Sequence, residues 1–204
     1  MAAQTEQSPT VFIVDDDAAI RFAMQALMDS VNLNHEIFAS ADDFLEKIGE
    51  QRPGCLVLDI RMPGLGGLEL QEELIKRGNT LPIIFITGHG DVPMAVEAMQ
   101  KGAVDFIQKP FRDQELLDRI REALATDEER REEQQRHAEV AGRLERLTNR
   151  EREVFDLVVT GKPNKVIAYE LGVSQRTVEI HRARVMEKMQ ARSLADLVKM
   201  HMTA

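Results

Sequence analysis

Short apolar runs, each ending on a polar or charged side chain, organise the first half of the chain. Val11-Phe12-Ile13-Val14 runs into Asp15-Asp16, and Cys55-Leu56-Val57-Leu58 into Asp59. Ile83-Ile84-Phe85-Ile86 runs into Thr87, and Val104-Asp105-Phe106-Ile107-Gln108 into Lys109. Runs this short, rich in β-branched residues and separated by helical patterns, predict parallel strands buried on both faces. Between them, residues 18–29 place Ile20, Ala23, Met24, Leu27 and Met28 on one helical face. A further strand is predicted over 36–38. Ser40 with Asp43 marks a helix start running to Ile48, and a helix resumes over 68–76 after the Pro63-Gly64-Leu65-Gly66-Gly67 turn. Asp91 is the expected cap of a helix through Gln100, ended by Gly102, and Phe111 opens a fifth helix with Leu116, Leu117, Ile120 and Leu124. Five strand–helix units predict an α/β doubly wound, five-stranded parallel sheet over 10–125, with residues 1–9 as a disordered N-terminus.

The pattern then changes. Over 126–143 apolar residues become scarce and charged pairs three or four apart abound, without Pro or Gly in 127–136. That composition favours a solvated helical linker, able to extend the fifth helix. Whether it also forms a two-stranded coiled coil stays open, because apolar a and d positions are few. Residues 144–204 carry no strand signal. Thr148-Asn149-Arg150-Glu151 is a capping box opening a helix through Val159. Asn164 is the expected cap of a short helix to Leu171, followed by a tight turn at Gly172. Ser174 opens a third helix to about Gln190, and Ser193 a fourth to Met200. Helix, glycine turn, helix is the pattern of a DNA-binding helix-turn-helix.

Charge sharpens the division. The chain carries a net of −9, but 144–204 holds 11 Lys/Arg against 8 Asp/Glu while 1–143 holds 15 against 27. Only the last third suits a polyanion. No apolar run is long enough to span a bilayer, so no membrane association is expected. The single Cys55 lies inside a predicted strand. It fits a reducing, cytoplasmic compartment and a packing role rather than a redox one.

In an open α/β sheet, ligands gather outside the carboxyl ends of the strands. Asp15, Asp16, Asp59, Thr87 and Lys109 therefore share one rim. Carboxylates so placed need a counter-charge, and an all-oxygen cluster suits Mg2+ with a phosphate oxygen. Taken alone, Asp15-Asp16-Asp17 reads first as a helix cap; Asp59 and Lys109 at the ends of other strands shift the reading. With Asp59 as a nucleophile, Lys109 can neutralise an added phosphoryl group and the Thr87 hydroxyl can bond one of its oxygens.

Particular stretches carry a resemblance: Val-Asp-Asp-Asp at 14–17, Leu-Asp-Ile-Arg-Met-Pro-Gly at 58–64, Ile-Thr-Gly-His-Gly-Asp-Val-Pro-Met-Ala-Val at 86–96, and Asp-Phe-Ile-Gln-Lys-Pro-Phe at 105–111. Residues 10–125 resemble the receiver domain of two-component response regulators. The resemblance implies Asp59 as phosphoacceptor, Mg2+ held by Asp16 and Asp59 with the Arg61 carbonyl, and Asp15 acting directly or through water. It further implies Lys109 on the phosphoryl group before a cis Lys109–Pro110 bond. In the implied switch Thr87 moves toward the phosphoryl group and Phe106 turns into the vacated space. Many relatives have Tyr at the position of Phe106, which also reads simply as core. The neighbouring helical face holds Met94, Ala95, Val96 and Met99, suited to self-association.

Residues 144–204 resemble the effector domain of the NarL/FixJ (LuxR-type) regulators, and the whole arrangement looks most like the FixJ branch. The stretches are Leu-Thr-Asn-Arg-Glu-Arg-Glu-Val-Phe at 147–155, Asn-Lys-Val-Ile-Ala-Tyr-Glu-Leu-Gly-Val-Ser at 164–174 and Arg-Thr-Val-Glu-Ile-His-Arg-Ala-Arg-Val-Met-Glu-Lys-Met at 176–189. The third helix would then enter the major groove. Arg176, Thr177, Glu179, His181, Arg182 and Arg184 are its polar candidates, Arg182 foremost for a guanine edge, while Val178, Val185 and Met189 read as core. Lys165 suits a phosphate. Glu179 stands where other members carry Lys. The implied function is a phosphorylation-switched transcription regulator, not an enzyme beyond its own phosphorylation and dephosphorylation. Its implied partners are a histidine kinase, promoter DNA, a second copy when phosphorylated, and RNA polymerase where it activates. Two rival readings meet obstacles in the residues. A haloacid-dehalogenase-like phosphatase needs an acid where Arg61 stands, and a small-ligand sensor needs an aromatic pocket in place of an ionic rim.

Overall fold

A computed structural model describes residues 8–49, 52–88 and 92–203. The chain divides into two compact units, residues 1–130 and 131–204, each described by itself. The expected disorder of residues 1–9 and the Asp91 cap fall largely or wholly outside the described residues.

In the first unit the strands are β1 (Thr10–Val14), β2 (His35–Phe38), β3 (Gly54–Asp59), β4 (Ile83–Thr87) and β5 (Asp105–Gln108). They pair in parallel in the order β2-β1-β3-β4-β5. The helices are α1 (Ala18–Ser30), α2 (Ala41–Lys47), α3 (Gly67–Lys76), α4 (Val92–Gln100) and α5 (Asp113–Glu145). The doubly wound α/β sheet read from the apolar runs is thus the architecture.

Alternation along the strands gives each face its own core. Phe12, Val14, Leu56, Leu58 and Phe85 pack with Phe44, Leu70, Leu74 and Ala98 from α2, α3 and α4. Val11, Ile13, Cys55, Val57, Ile84 and Ile86 pack with Met24 and Met28 of α1 and with Leu116, Ile120 and Ala123 of α5. With helices on both faces β1, β3 and β4 have no polar side to show, which is why they read as continuous apolar runs. Burial pushes the Cys55 thiol up to about 12, with the Asp127 charge adding to the effect, so the thiolate that redox chemistry needs does not form at neutral pH.

α5 begins two residues later than expected and runs through the stretch read as a linker. That stretch is not uniformly solvated. Asp127 follows Ala123 by one turn on the buried side and is 2 % exposed. It accepts the Gly54 N–H at 2.9 Å and pairs with Arg130, which in turn donates to the Thr80 carbonyl oxygen. A carboxylate replaces the apolar stripe here because the amino ends of the strands present backbone donors. Gly54 itself is required: at φ +148° a Cβ would lie 1.9 Å from the Thr10 carbonyl oxygen.

The second unit is all helical: the end of α5, then α6 (Asn149–Val159), α7 (Asn164–Leu171), α8 (Gln175–Met189) and α9 (Leu194–Thr203). Val140 and Leu144 join Val154, Phe155, Val158, Ile167, Val178, Val185, Met189 and Leu197 in one core. Asn164 does not cap α7; Pro163 occupies the cap position and Asn164 is the first helical residue. Proline's fixed φ suits the entry to a helix, and it has no N–H to leave unsatisfied.

The capping box at Thr148 and Glu151 forms as expected. Glu151 accepts the Thr148 N–H at 2.8 Å, and Thr148 Oγ1 accepts the Glu151 N–H at 3.3 Å. Glu151 also holds Lys188 of α8 at 2.5 Å, so one buried carboxylate closes α6 and ties it to α8. The Lys188 hydrogen bond, and then the Thr148 amide, hold its carboxyl at about 2, below the ordinary 4.5. A lowered folded pKa stabilises in full above the unfolded value and is lost as pH falls from about 4.5 through about 2. Glu151→Ala is expected to destabilise this unit by about 1–3 kcal/mol at pH 7. Glu151→Gln should cost less and flatten the acid limb between those pH values. Thermal unfolding with hydrogen exchange in α6 measures both, and an Ala variant as stable as the parent at pH 7 would show the pair to be idle.

Candidate functional site

The parallel register builds the first site. Val14 pairs with Leu58, so the residues that follow, Asp15 and Asp59, emerge side by side where the strand order reverses about β1. Thr87 pairs with Gln108, which brings Lys109 to the same edge. Lys109 Nζ donates to Asp15 Oδ2 at 2.8 Å and to Asp59 Oδ1 at 2.7 Å. The other oxygen of each carboxylate takes a backbone amide: Asp15 Oδ1 from Asp17 at 2.8 Å, Asp59 Oδ2 from Arg61 at 3.0 Å. The Lys109–Pro110 bond is cis, as the resemblance implied. The acidic triplet divides its work. Asp15 is buried in the cluster, Asp16 is exposed at the rim, and Asp17 caps α1 by accepting the Ala19 N–H at 2.8 Å. The helix-cap reading of that triplet thus holds for Asp17, while Asp15 joins the lysine cluster.

Asp59 is 7 % exposed. Burial pushes its carboxyl above the ordinary range; the Lys109 hydrogen bond and charge oppose this, and the Asp15 charge adds to it. Burial also works against the Lys109 charge, but its bonds to Asp15 and Asp59 outweigh that and raise it overall. Two buried carboxylates thus share one ammonium, and Asp16 adds further negative charge. The oxygen-only donor set with uncompensated charge fits a hard divalent cation. Gly67 keeps α3 close beneath: a Cβ there would stand 2.3 Å from the Asp59 carbonyl oxygen. Thr87 is buried, its hydroxyl donating to the Gly88 carbonyl oxygen at 3.0 Å. Phe106 is not core. It is 41 % exposed, because it lies on the outer face of the edge strand β5 opposite the buried Ile107. With Val96, Met99 and Val104 it leaves α4 and β5 bearing exposed apolar side chains, whereas Ala95 is buried and Met94 packs on the core.

The second site is the surface of α8. Its core residues are Val178, Val185 and Met189, each fully buried, as the sequence predicted. At 100° per residue the opposite side carries Arg176, Ile180, Arg184 and Glu187, flanked by Glu179 and Ala183, and all six are exposed. Three sequence candidates sit elsewhere. Arg182 donates to Asn164 Oδ1 of α7 at 3.0 Å, which turns the foremost base-reading candidate back toward the domain. Thr177 shares its hydroxyl with the Ser174 cap at 2.8 Å. His181 buries Nδ1 without a hydrogen-bond partner among the described residues, so its ring faces inward. Lys165 is exposed at the start of α7. Ile180, 47 % exposed, escaped the sequence reading, although its place off the Val178/Val185/Met189 stripe is visible in the periodicity.

Residues 11–121 match the family described as "Response regulator receiver domain", and residues 145–201 the family described as "Bacterial regulatory proteins, luxR family". Nodulation protein W of Bradyrhizobium diazoefficiens is 50% identical over 95% of this chain and 85% of its own. Transcriptional regulatory protein FixJ of Azorhizobium caulinodans is 45% identical over 97% of this chain and 94% of its own. Among solved structures, response regulator StyR matches with a TM-score of 0.89 at 44% identity, covering 97% of this chain and 100% of that one. Full-length FixJ from B. japonicum matches at 0.61 with 42% identity, covering 96% of each. Proteins with this pair of domains are regulators rather than classical enzymes, and the pairing implies a histidine kinase and DNA as partners. No helix among the described residues is long and apolar enough to cross a membrane. The chain belongs to the transcriptional response regulators of the NarL/FixJ type, which join a receiver to a LuxR-family DNA-binding domain.

Proposed function

We propose that Asp59 accepts a phosphoryl group from a phosphohistidine of the partner kinase, and that the resulting acyl phosphate drives pairing of two chains on promoter DNA. The observation that carries this is the Lys109 bridge, which joins Asp15 and Asp59 at the sheet's switch point. An Asp59 carboxylate oxygen attacks phosphorus, the P–N bond breaks, and the imidazole leaves with a proton. The Lys109 ammonium, already bound to Asp59 Oδ1, is placed to follow the new phosphoryl oxygens and offset their charge. Mg2+, held by Asp59, Asp16 and Asp15 with the Arg61 carbonyl, would neutralise phosphoryl charge when bound. The same site hydrolyses the acyl phosphate, which resets the switch.

The readout uses Thr87 and Phe106. The Thr87 hydroxyl exchanges its bond to Gly88 for a phosphoryl oxygen, and Phe106 turns inward from its exposed position. Both changes alter the apolar surface of Val96, Met99 and Val104, through which two receivers pair. Each DNA-binding unit then reads one half-site with α8, and Lys165 meets a phosphate. Pairing raises the effective concentration of the second unit, which turns two weak contacts into useful affinity. A dimer so placed on a promoter engages RNA polymerase where it activates. Light scattering with and without beryllofluoride, an acyl-phosphate mimic, tests the reading. The mass is expected to double and footprints to appear together; an unchanged mass with unchanged DNA affinity would overturn it.

A further inference from the structure

Resting on the reading of α8 as the recognition helix, we infer that Glu179 reads the exocyclic amine of a cytosine while Ile180 packs on a thymine methyl nearby. The outward strip of α8 is built as a reading surface rather than a solvated one. Elsewhere in this unit several charges pair, Arg150 with Glu153, Arg152 with Asp156, Lys162 with Glu170 and Lys188 with Glu151. Along the strip, Arg176, Glu179 and Arg184 form no ion pair among the described residues. Glu179 has Arg176 and Arg182 three residues away on either side, the spacing at which helix pairs form. Arg182 is committed to Asn164, and Glu179 accepts only a long 3.4 Å bond from Gln175 Nε2.

A carboxylate carried into the major groove meets phosphate repulsion unless a donor receives it. Only two bases present a donor there, cytosine at N4 and adenine at N6. Adenine sets its N7 acceptor beside the amine, and that lone pair turns a carboxylate away. Cytosine offers its amine with no adjoining acceptor. Cytosine is therefore the base that Glu179 selects. Ile180 sits between Arg176 and Arg184, one helical turn from each, at the centre of the strip. Scattered exposed apolar residues are ordinary, but one placed here has a specific counterpart, since thymine alone shows a methyl in the major groove. Consecutive positions are 1.5 Å apart along the helix and 100° around it, so the two side chains reach bases within a step or two of each other. Ala183, small and exposed, lets the helix approach closely on that side.

The test uses the full chain activated with beryllofluoride and a randomised DNA library. The parent is expected to select a cytosine in each half-site with a thymine close by. Replacing that cytosine should weaken parent binding at least about fivefold, the lower bound for a good base contact. The same replacement should leave Glu179→Ala binding unchanged, and Glu179→Gln should come to select adenine there. Uracil in place of the thymine removes only the methyl. It should weaken the parent and leave Ile180→Ala unaffected. Glu179→Ala with the parent's full cytosine preference would overturn the inference while α8 remained the reading helix. If none of Arg176→Ala, Glu179→Ala, Ile180→Ala and Arg184→Ala altered any selected base, the reading of α8 itself would fall and the inference with it.

Discussion

Asp59→Asn is expected to abolish the response to a phosphodonor. In phosphoramidate or beryllofluoride the variant should stay monomeric and bind operator DNA as the untreated parent does. The expected gap in operator affinity from the activated parent is about 10²–10⁴-fold, the range by which tethering two modules exceeds either alone. The substitution leaves the fold in place. Asn keeps the shape but only one oxygen, so it can accept from the Lys109 ammonium or from the Arg61 amide, which reach different oxygens of Asp59 at 2.7 and 3.0 Å, and not from both. What it removes is the nucleophilic oxygen pair and a negative charge that burial had already made costly. Lys109 keeps Asp15 as an anionic partner, so the fold is expected to persist, at a cost of about 1–3 kcal/mol for the donor left without an acceptor. Sedimentation and fluorescence anisotropy on a fixed operator settle the matter. A variant that dimerised fully with phosphodonor would move the phosphoacceptor away from Asp59 and leave the rim geometry without a purpose.

The receiver rim was readable in the sequence because its physics is local. A strand buried on both faces must be apolar throughout, so the polar residue closing each run of β1, β3 and β4 marks the strand end at Asp15, Asp59 and Thr87. Lys109 instead follows an edge strand whose run already contains Asp105 and Gln108. Helix starts at Ser40, Thr148 and Ser174 were readable for the same reason, since a cap and the amide it accepts lie within three residues. What escaped the sequence depends on partners distant in the chain. Asp127 looked like one more charge in a solvated run, and nothing local shows that Gly54, 73 residues earlier, offers it an amide. Phe106 is expected as a switch residue and reads also as core, but β5 is an edge strand, and among the described residues nothing covers its outer face fully. Arg182 and Asn164 are 18 residues apart, and their bond exists only because α7 packs on α8. That contact turns the Arg182 side chain toward α7 and leaves Arg176 and Arg184 as the exposed arginines of α8.

Those two arginines carry the other large expected effect. Arg184→Ala and, separately, Arg176→Ala should each weaken specific binding by about 1–3 kcal/mol per half-site, the worth of a good arginine–base contact. A dimer carries the loss twice, so the operator affinity of the activated protein should fall by about 2–6 kcal/mol, or roughly 30- to 20,000-fold. The side chains are exposed and make no ion pair among the described residues, so neither change should move the unfolding temperature. Arg182→Ala should behave differently. It breaks the 3.0 Å bond to Asn164 that holds α8 against the first turn of α7. Affinity and thermal stability should therefore fall together, by about 0.5–1.5 kcal/mol in stability. Lys165→Ala should weaken specific and non-specific DNA alike and lower the salt dependence by about one counterion per protomer. Anisotropy titrations at several salt concentrations, against operator and scrambled duplexes, separate the three patterns. If Arg184→Ala and Arg176→Ala weakened both duplexes equally, the arginines would be phosphate contacts. Base reading would then have to come from the remaining exposed side chains of the strip.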